Sequence, residues 1–356
     1  MKVNFIFPAY LDVPIGGYKI VYSYANGLIK RGHDVSIIYV DNYEGRKAPK
    51  SIRRFVRILK HKLMIHTKRL SWFPLDIKVH LALLTKEKNT SEIPKADVVI
   101  ATAASTAFLV NDLPLSKGEK FYFVQGDERT FGGSDVKTTW ELPLKKIVVA
   151  SWLKKLLYSE VGQAANLVPN FVDDKVFDIT TPVPQRDTVI SMLIHKDEIK
   201  GTRYGLQALL EVQHEFPDIK IKLFGMVSFD GFQDLRYEYV KNADSVTLRK
   251  IYNSSSIFVV PSIVEGWGLT ATEAMRCGAA LVSAQNGGVN DFAINGHSAV
   301  LVKSKSSDEL VSAIMGLLKN TAYRIRIANN GYKQVSQFTF DRSMDLFEKA
   351  LFSSED

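Results

Sequence analysis

Two glutamates eight residues apart, Glu265 and Glu273, flank a loop carrying Gly266 and Gly268 in the stretch Pro261 to Gly278. A β-branched run precedes the loop and a helical pattern starts near Thr270. In such a strand, loop and helix step the glycines let backbone come close to a ligand, and the unpaired N–H groups at the helix start favour an anion such as a diphosphate. Carboxylates at this spacing can grip sugar hydroxyls on either side of a phosphate. Thr270-x-x-Glu273 also fits a capping box, in which Glu273 only closes the helix start. The residues alone leave both readings open. Trp267, between the two glycines, reads either as a platform for a sugar ring or as core packing.

Other chemistry is thinly represented. Cys277 is the single cysteine, so neither an internal disulfide nor a thiolate cluster can form. His33, His61, His66, His80, His214 and His297 lack ligand-like spacing with carboxylates, and no Asp-x-Asp occurs in the chain. No metal and no cofactor is therefore expected.

The elements that must position these residues follow a regular alternation. Strand-like runs at 3–7, 35–40, 98–101, 120–124 and 147–150 bracket a helix at 18–30, and a second series restarts with strands at 189–194, 219–224, 257–260 and 279–283. Helices are expected at 204–215, 270–276, 307–318 and 341–352. Stacked βαβ units of this kind build parallel sheets, so the fold class is α/β with two doubly wound, Rossmann-like domains. Thr180-Thr181-Pro182-Val183-Pro184 has the clearest linker composition. The domains are taken as 1–170, 171–335 and a terminal helix in 336–356 crossing back to the first domain.

With these residues in view, the segment Glu265 to Gly278 resembles the E-x7-E signature of the retaining family 4 glycosyltransferases of GT-B fold, down to its aromatic-Gly-Leu step and its Glu-Ala-Met-x-Cys-Gly ending. Gly16-Gly17, Gly32-His33-Asp34-Val35, Val168-Pro169-Asn170, Lys200-Gly201 and Gly287-Gly288 follow in the family's order. Phe121-Tyr122-Phe123-Val124-Gln125 and Lys200-Gly201-Thr202 look most like the branch with bacterial cell-surface rhamnosyltransferases. The resemblance implies two domains facing across a cleft, with a nucleotide-sugar donor on the C-terminal one. It implies Glu273 on the ribose and Glu265 on the transferred sugar. Backbone amides around Gly266, Trp267, Gly268, Leu269 and Thr270 would hold sugar and diphosphate, Lys200 would neutralise the leaving phosphate, and Gly16 and Gly17 would approach the same phosphates. It also implies retention by same-face attack, the departing phosphate taking the acceptor's proton.

The chain departs from that pattern in places. His195 stands where an arginine is usual, and Phe171 replaces a glycine. No histidine marks the acceptor side in 101–106, which leaves Asp127 and Glu128 as acceptor-side candidates. Charge accounting supports Lys200: breaking a nucleotide-sugar bond loads negative charge on the diphosphate, and a cation with aimed N–H dipoles stabilises it.

Composition narrows the class. At 46% hydrophobic and 24% charged the chain is globular, and no apolar run approaches the roughly 20 residues of a membrane span. Ten of its 46 basic residues lie in 46–69 with no acidic residue, leaving 36 against 38 acidic elsewhere. The excess charge is thus local, and nucleic acid is not an expected partner. Ile52, Phe55, Val56, Leu59, Leu63 and Leu70 recur at helical spacing beside Arg53, Arg54, Arg57, Lys60 and Lys62, with Trp72 and Phe73 behind. A cationic amphipathic helix suits an anionic membrane surface; a solvated basic face of an ordinary domain helix is the alternative. The expectation is a cytoplasmic protein, peripheral at the inner face of the plasma membrane, that extends a cell-surface glycan or lipid-linked oligosaccharide. A GT-B-fold nucleotide-sugar epimerase and a non-catalytic glycosyltransferase-like subunit recruiting a partner are the competing readings.

Overall fold

The computed structural model describes residues 1–40, 52–67, 70–85, 90–131, 135–232 and 234–352, with backbone only at 52–57, 66–67 and 131. The chain divides into two compact units, Met1–Val168 with Met344–Asp356, and Pro169–Ser343.

The first unit holds seven strands: β1 (Lys2–Phe7), β2 (Asp34–Val40), β3 (His80–Leu84), β4 (Val98–Ala101), β5 (Glu119–Val124), β6 (Lys145–Val148) and β7 (Ala165–Leu167). They form one all-parallel sheet in the order β3-β2-β1-β4-β5-β6-β7. A parallel sheet is covered on both faces, so its strands read as continuous apolar runs, as Phe121 to Val124 do. The described helices are α1 (Gly16–Lys30), α2 (Ile52–Thr67), α3 (Ala104–Asp112), α4 (Val136–Glu141) and α5 (Ser151–Val161). Order reverses between β1 and β4, the switch point at which open α/β sheets take ligands.

In the second unit β8 (Val189–Ile194), β9 (Lys220–Gly225), β10 (Glu238–Lys241), β11 (Ile257–Val260), β12 (Ala280–Ala284) and β13 (Val300–Val302) repeat the plan, order β10-β9-β8-β11-β12-β13, again all parallel. Helices α6 (Thr202–Glu215), α7 (Ser245–Ser254), α8 (Leu269–Arg276), α9 (Ser307–Lys319) and α10 (Thr321–Val335) accompany it, and α11 (Phe340–Phe352) closes the chain. Its switch point lies between β8 and β11.

The part of α11 grouped with the first unit is held there by shape and charge. Phe347 stacks on Tyr24 with ring centroids 4.1 Å apart, Arg31 pairs with Glu348 and at 2.7 Å with Asp345, and His33 Nε2 lies 2.9 Å from Glu348 Oε1. Burying an aromatic pair in offset contact stabilises by about 0.5–1.5 kcal/mol beyond its area.

The linker-like run 180–184 is not a boundary. It lies inside the second unit, where Asn253 Oδ1 accepts from Thr180 N at 2.6 Å and the buried Arg186 guanidinium donates to Thr181 O at 2.8 Å. Proline there shapes an ordered turn.

Helix α2 turns its leucines outward. Leu59 and Leu63 are 59% and 62% exposed, one turn apart and flanked by exposed Lys60 and Lys62, while Ile65 is buried and His61 packs on Tyr10. The side chains of Arg53, Arg54 and Arg57 lie outside the described residues. Trp72 and Phe73 differ from the expectation of a membrane-seated pair. Both are half-buried and pack on Tyr22 of α1 at 5.8 and 5.4 Å, so their apolar area is spent on an aromatic cluster. Among the described residues, no helix is long and apolar enough to cross a membrane.

Candidate functional site

In the second unit the expected site residues collect at the carboxyl ends of β8 and β11. His195 and Lys200 follow β8, and the loop 261–268 follows β11 and feeds α8. The two loops touch backbone to backbone. Gly201 has φ +62°, and a Cβ there would sit 2.1 Å from Pro261 O, so only glycine fits. Ile263 N donates to Ile199 O at 2.7 Å across the same seam.

A second seam holds the other side of the loop. Glu265 N donates to Asn286 O at 2.8 Å, Gly288 N donates to Glu265 O at 3.2 Å, and a Cβ on Gly288 would lie 2.2 Å from Trp267 O. The sequence landmarks Lys200-Gly201 and Gly287-Gly288 are therefore packing requirements of the loop between them.

Held in this way, the loop presents Glu265 to Lys200. Lys200 Nζ donates to Glu265 Oε2 at 2.8 Å, with the side chains 25% and 14% exposed, so the pair is reachable yet largely desolvated. His195 is close enough to feel both charges, and burial pushes its imidazole below the usual histidine range. Asp197 N donates to His195 Nδ1 at 3.1 Å, which leaves the ring's proton on Nε2. Thr202 fixes the backbone at His195, donating to its carbonyl at 2.9 Å and accepting from its N–H at 3.1 Å.

Helix α8 opens without a side-chain cap. Its N-cap is Gly268 at φ +106°, and among the described residues the amides of Leu269 and Thr270 take no partner. An uncapped helix start leaves N–H groups and the positive end of the dipole for an anion. This geometry removes one of the two readings of Glu273. With the cap at Gly268, Thr270 is already inside the helix, so the capping box does not form. Glu273 is instead buried, with its Oε2 3.3 Å from the hydroxyl of Tyr252.

Trp267 is core packing. Its side chain is 3% exposed and lies against Phe292 and Phe338 at 5.3 and 5.1 Å, so the indole anchors the loop and only its backbone is left for a ligand.

In the first unit, α1 begins at Gly16 and Gly17, after the loop 8–15 that follows β1, and likewise has no side-chain cap. The acceptor-side candidates are committed elsewhere. Both Glu128 oxygens accept from Ala104 N, at 2.8 and 3.0 Å, and Tyr122 donates to Oε1 at 2.8 Å, so this carboxylate closes the start of α3. Burial pushes its carboxyl up despite those hydrogen bonds. Asp127 takes the fork of Arg129 at 2.9 and 2.8 Å.

Two residues escape the sequence reading. Gln125, at the carboxyl end of β5, sets its side-chain amide 3.2 Å from where a Gly17 Cβ would be; its place just past a buried strand is the signal that could have found it. Tyr252, inside α7, carries no local signal at all. Among the described residues, no group of three His, Cys, Asp or Glu is placed to hold a metal.

Residues 196–334 match the family model of glycosyl transferases group 1. A D-inositol 3-phosphate glycosyltransferase of Stackebrandtia nassauensis is 29% identical over 256 residues, 64% of this chain and 56% of that one. A phosphatidyl-myo-inositol mannosyltransferase of Mycolicibacterium smegmatis is 22% identical across 95% of this chain and 90% of its own. The chain spans about half the length of the D-inositol 3-phosphate glycosyltransferases it matches, 42% and 56% in two of them. The solved structure of HepE from Anabaena in complex with UDP and glucose superposes with a TM-score of 0.74 over 99% of both chains at 14% identity. Residues 196–334 therefore carry the pattern of the glycosyl transferases group 1, in a chain whose fold is GT-B.

Proposed function

We propose that this chain is a retaining, metal-independent glycosyltransferase that moves a sugar from a nucleoside-diphosphate sugar to a glycan or lipid-linked acceptor. The observation that carries the reading is the Lys200–Glu265 pair beside the uncapped start of α8. A diphosphate placed there meets a cation, free N–H groups and a helix dipole together, which is the arrangement that stabilises charge developing on a leaving phosphate. Glu265 faces the transferred sugar, and Glu273 the ribose. His195 offers a neutral Nε2–H. Because Lys200 and the amides supply the positive field, the reading needs no divalent ion. The HepE complex with UDP and glucose supports a nucleotide-sugar donor, and UDP is the probe it suggests.

The acceptor part of the reading rests on α2. Leucines facing outward between lysines suit the interfacial layer of an anionic membrane, where apolar burial and charge attraction act together. The mannosyltransferase relative, named for a phosphatidylinositol acceptor, points the same way.

Donor turnover measured in EDTA, with and without lipid-linked or oligosaccharide acceptors, tests the proposal. Acceptor-dependent release of nucleoside diphosphate with retained anomeric configuration is expected. Turnover without any acceptor would favour an epimerase or hydrolase, and donor binding without turnover a non-catalytic subunit. A strict Mg2+ requirement would overturn the metal-free mechanism.

A further inference from the structure

Resting on the reading of Glu273 as the ribose contact, we infer that Tyr252 is a positioning residue that aims the Glu273 carboxylate at the nucleotide. Tyr252 is fully buried, its ring wedged among Phe177, Phe224 and Phe258 with centroids 5.4 to 5.8 Å away. A ring held on three sides has one place for its hydroxyl. That place is 3.3 Å from Glu273 Oε2, on the neighbouring helix. The contact is longer than the usual O–H···O separation of about 2.7–2.8 Å, so the hydroxyl orients the carboxylate through a weak hydrogen bond. Burial and the adjacent carboxylate push the phenol far up, which keeps it a donor throughout the working pH range.

The two helices that carry this pair are tied at their carboxyl ends, within about one turn of it. Arg186, buried, donates through Nη1 to Ser255 O at 3.0 Å, just past α7, and through Nη2 to Cys277 O at 2.6 Å, just past α8. One guanidinium thus closes the carboxyl ends of both helices, where the dipoles favour a cation. The spacing between Tyr252 and Glu273 is held by this clamp on the two backbones and by the aromatic wedge around the Tyr252 ring.

The test is UDP binding against binding of 2′,3′-dideoxy-UDP, by calorimetry on the full chain. Wild type is expected to prefer UDP by roughly tenfold or more, the scale of a hydrogen bond to a charged group. Tyr252→Phe, which removes one oxygen and keeps the ring, is expected to cut that preference several-fold while the dideoxy affinity stays within twofold. Glu273→Gln should abolish the preference, and the double variant should add nothing. If Glu273→Gln keeps the preference, the ribose reading itself fails. If Glu273→Gln loses it and Tyr252→Phe keeps it, the positioning role fails. Should Tyr252→Phe not fold, 3-fluorotyrosine at 252, a stronger donor, is expected to hold or raise the preference; a reduced preference would overturn the inference.

Discussion

Lys200 Nζ and Glu265 Oε2 meet at 2.8 Å, joining the loop that leaves β8 to the loop that leaves β11. On the proposed function, the cation that would meet the leaving phosphate is in place before a donor arrives, held by a carboxylate on the loop that follows the neighbouring strand of the switch point. Lys200→Ala is expected to lower kcat about 100- to 1000-fold, because the charge it offsets grows as the bond breaks. Steady-state turnover on a competent donor and acceptor checks this, and unchanged kcat would place the cation elsewhere.

Gly201 sets the geometry behind that pair. A methyl group there would enter the Pro261 carbonyl at 2.1 Å, and the left-handed backbone adds strain. Gly201→Ala is expected to cost at least about 2 kcal/mol of stability, read as a lower denaturation midpoint at unchanged m-value. A variant as stable as wild type would show that the two loops can separate freely.

His195 serves as a neutral group. Its imidazole is pushed below the usual range by burial, and Nδ1 is occupied by the Asp197 amide. A depressed base binds its proton only below about pH 6.5, the ordinary histidine value, so the contribution to UDP binding proposed for it is expected to stay constant above that. The ratio of UDP affinities of wild type and His195→Gln should be flat from pH 6.5 to 8. A ratio that falls steeply over that range would mean the imidazolium does the binding. For stability the sign is the same: between the lowered folded value and about 6.5 the unfolded chain holds the extra proton, so stability rises with pH there.

The outward face of α2 makes a further expectation. Wild type should sediment with anionic vesicles, ignore neutral ones, and be released as salt rises from about 0.1 to 1 M and the screening length falls from about 10 to 3 Å. Leu59→Ser with Leu63→Ser should weaken vesicle binding by at least roughly tenfold, since each leucine contributes about 1.5–3 kcal/mol when buried. Changing Arg53, Arg54, Arg57 and Lys60 to glutamate should abolish it and leave turnover of a short soluble acceptor intact. Binding that survives both variants would make α2 an ordinary solvated face.

The sheets were legible because strands buried on both faces leave uninterrupted apolar runs, as at 98–101, 189–194 and 257–260. The short edge strands β3 and β10 are half-exposed and leave no such trace. Helix α10 begins on the Asn320 cap, two residues after the helix expected at 307–318, and its run 321–335 was not among the expected helices. At the site, residues in one local motif were readable and partners brought in from afar were not. Trp267 meets Phe292 and Phe338, Glu273 meets Tyr252, and Gly17 meets Gln125 only after folding. Glu128 is closed by Ala104 N–H, 24 residues away, which nothing near it in sequence announces, whereas the partner of Asp127, Arg129, stands only two residues on and its fold-back was readable as a local pair.

The central claim is that the switch point of the second unit binds the nucleoside diphosphate. Hydrogen exchange with and without saturating UDP, in EDTA, tests it most directly. Protection is expected at the amides of 199–201 and 266–270 and around Glu273 in the second unit, and it should shrink in Lys200→Ala. Protection absent from those loops, or confined to the far ends of β8 and β11, would contradict it.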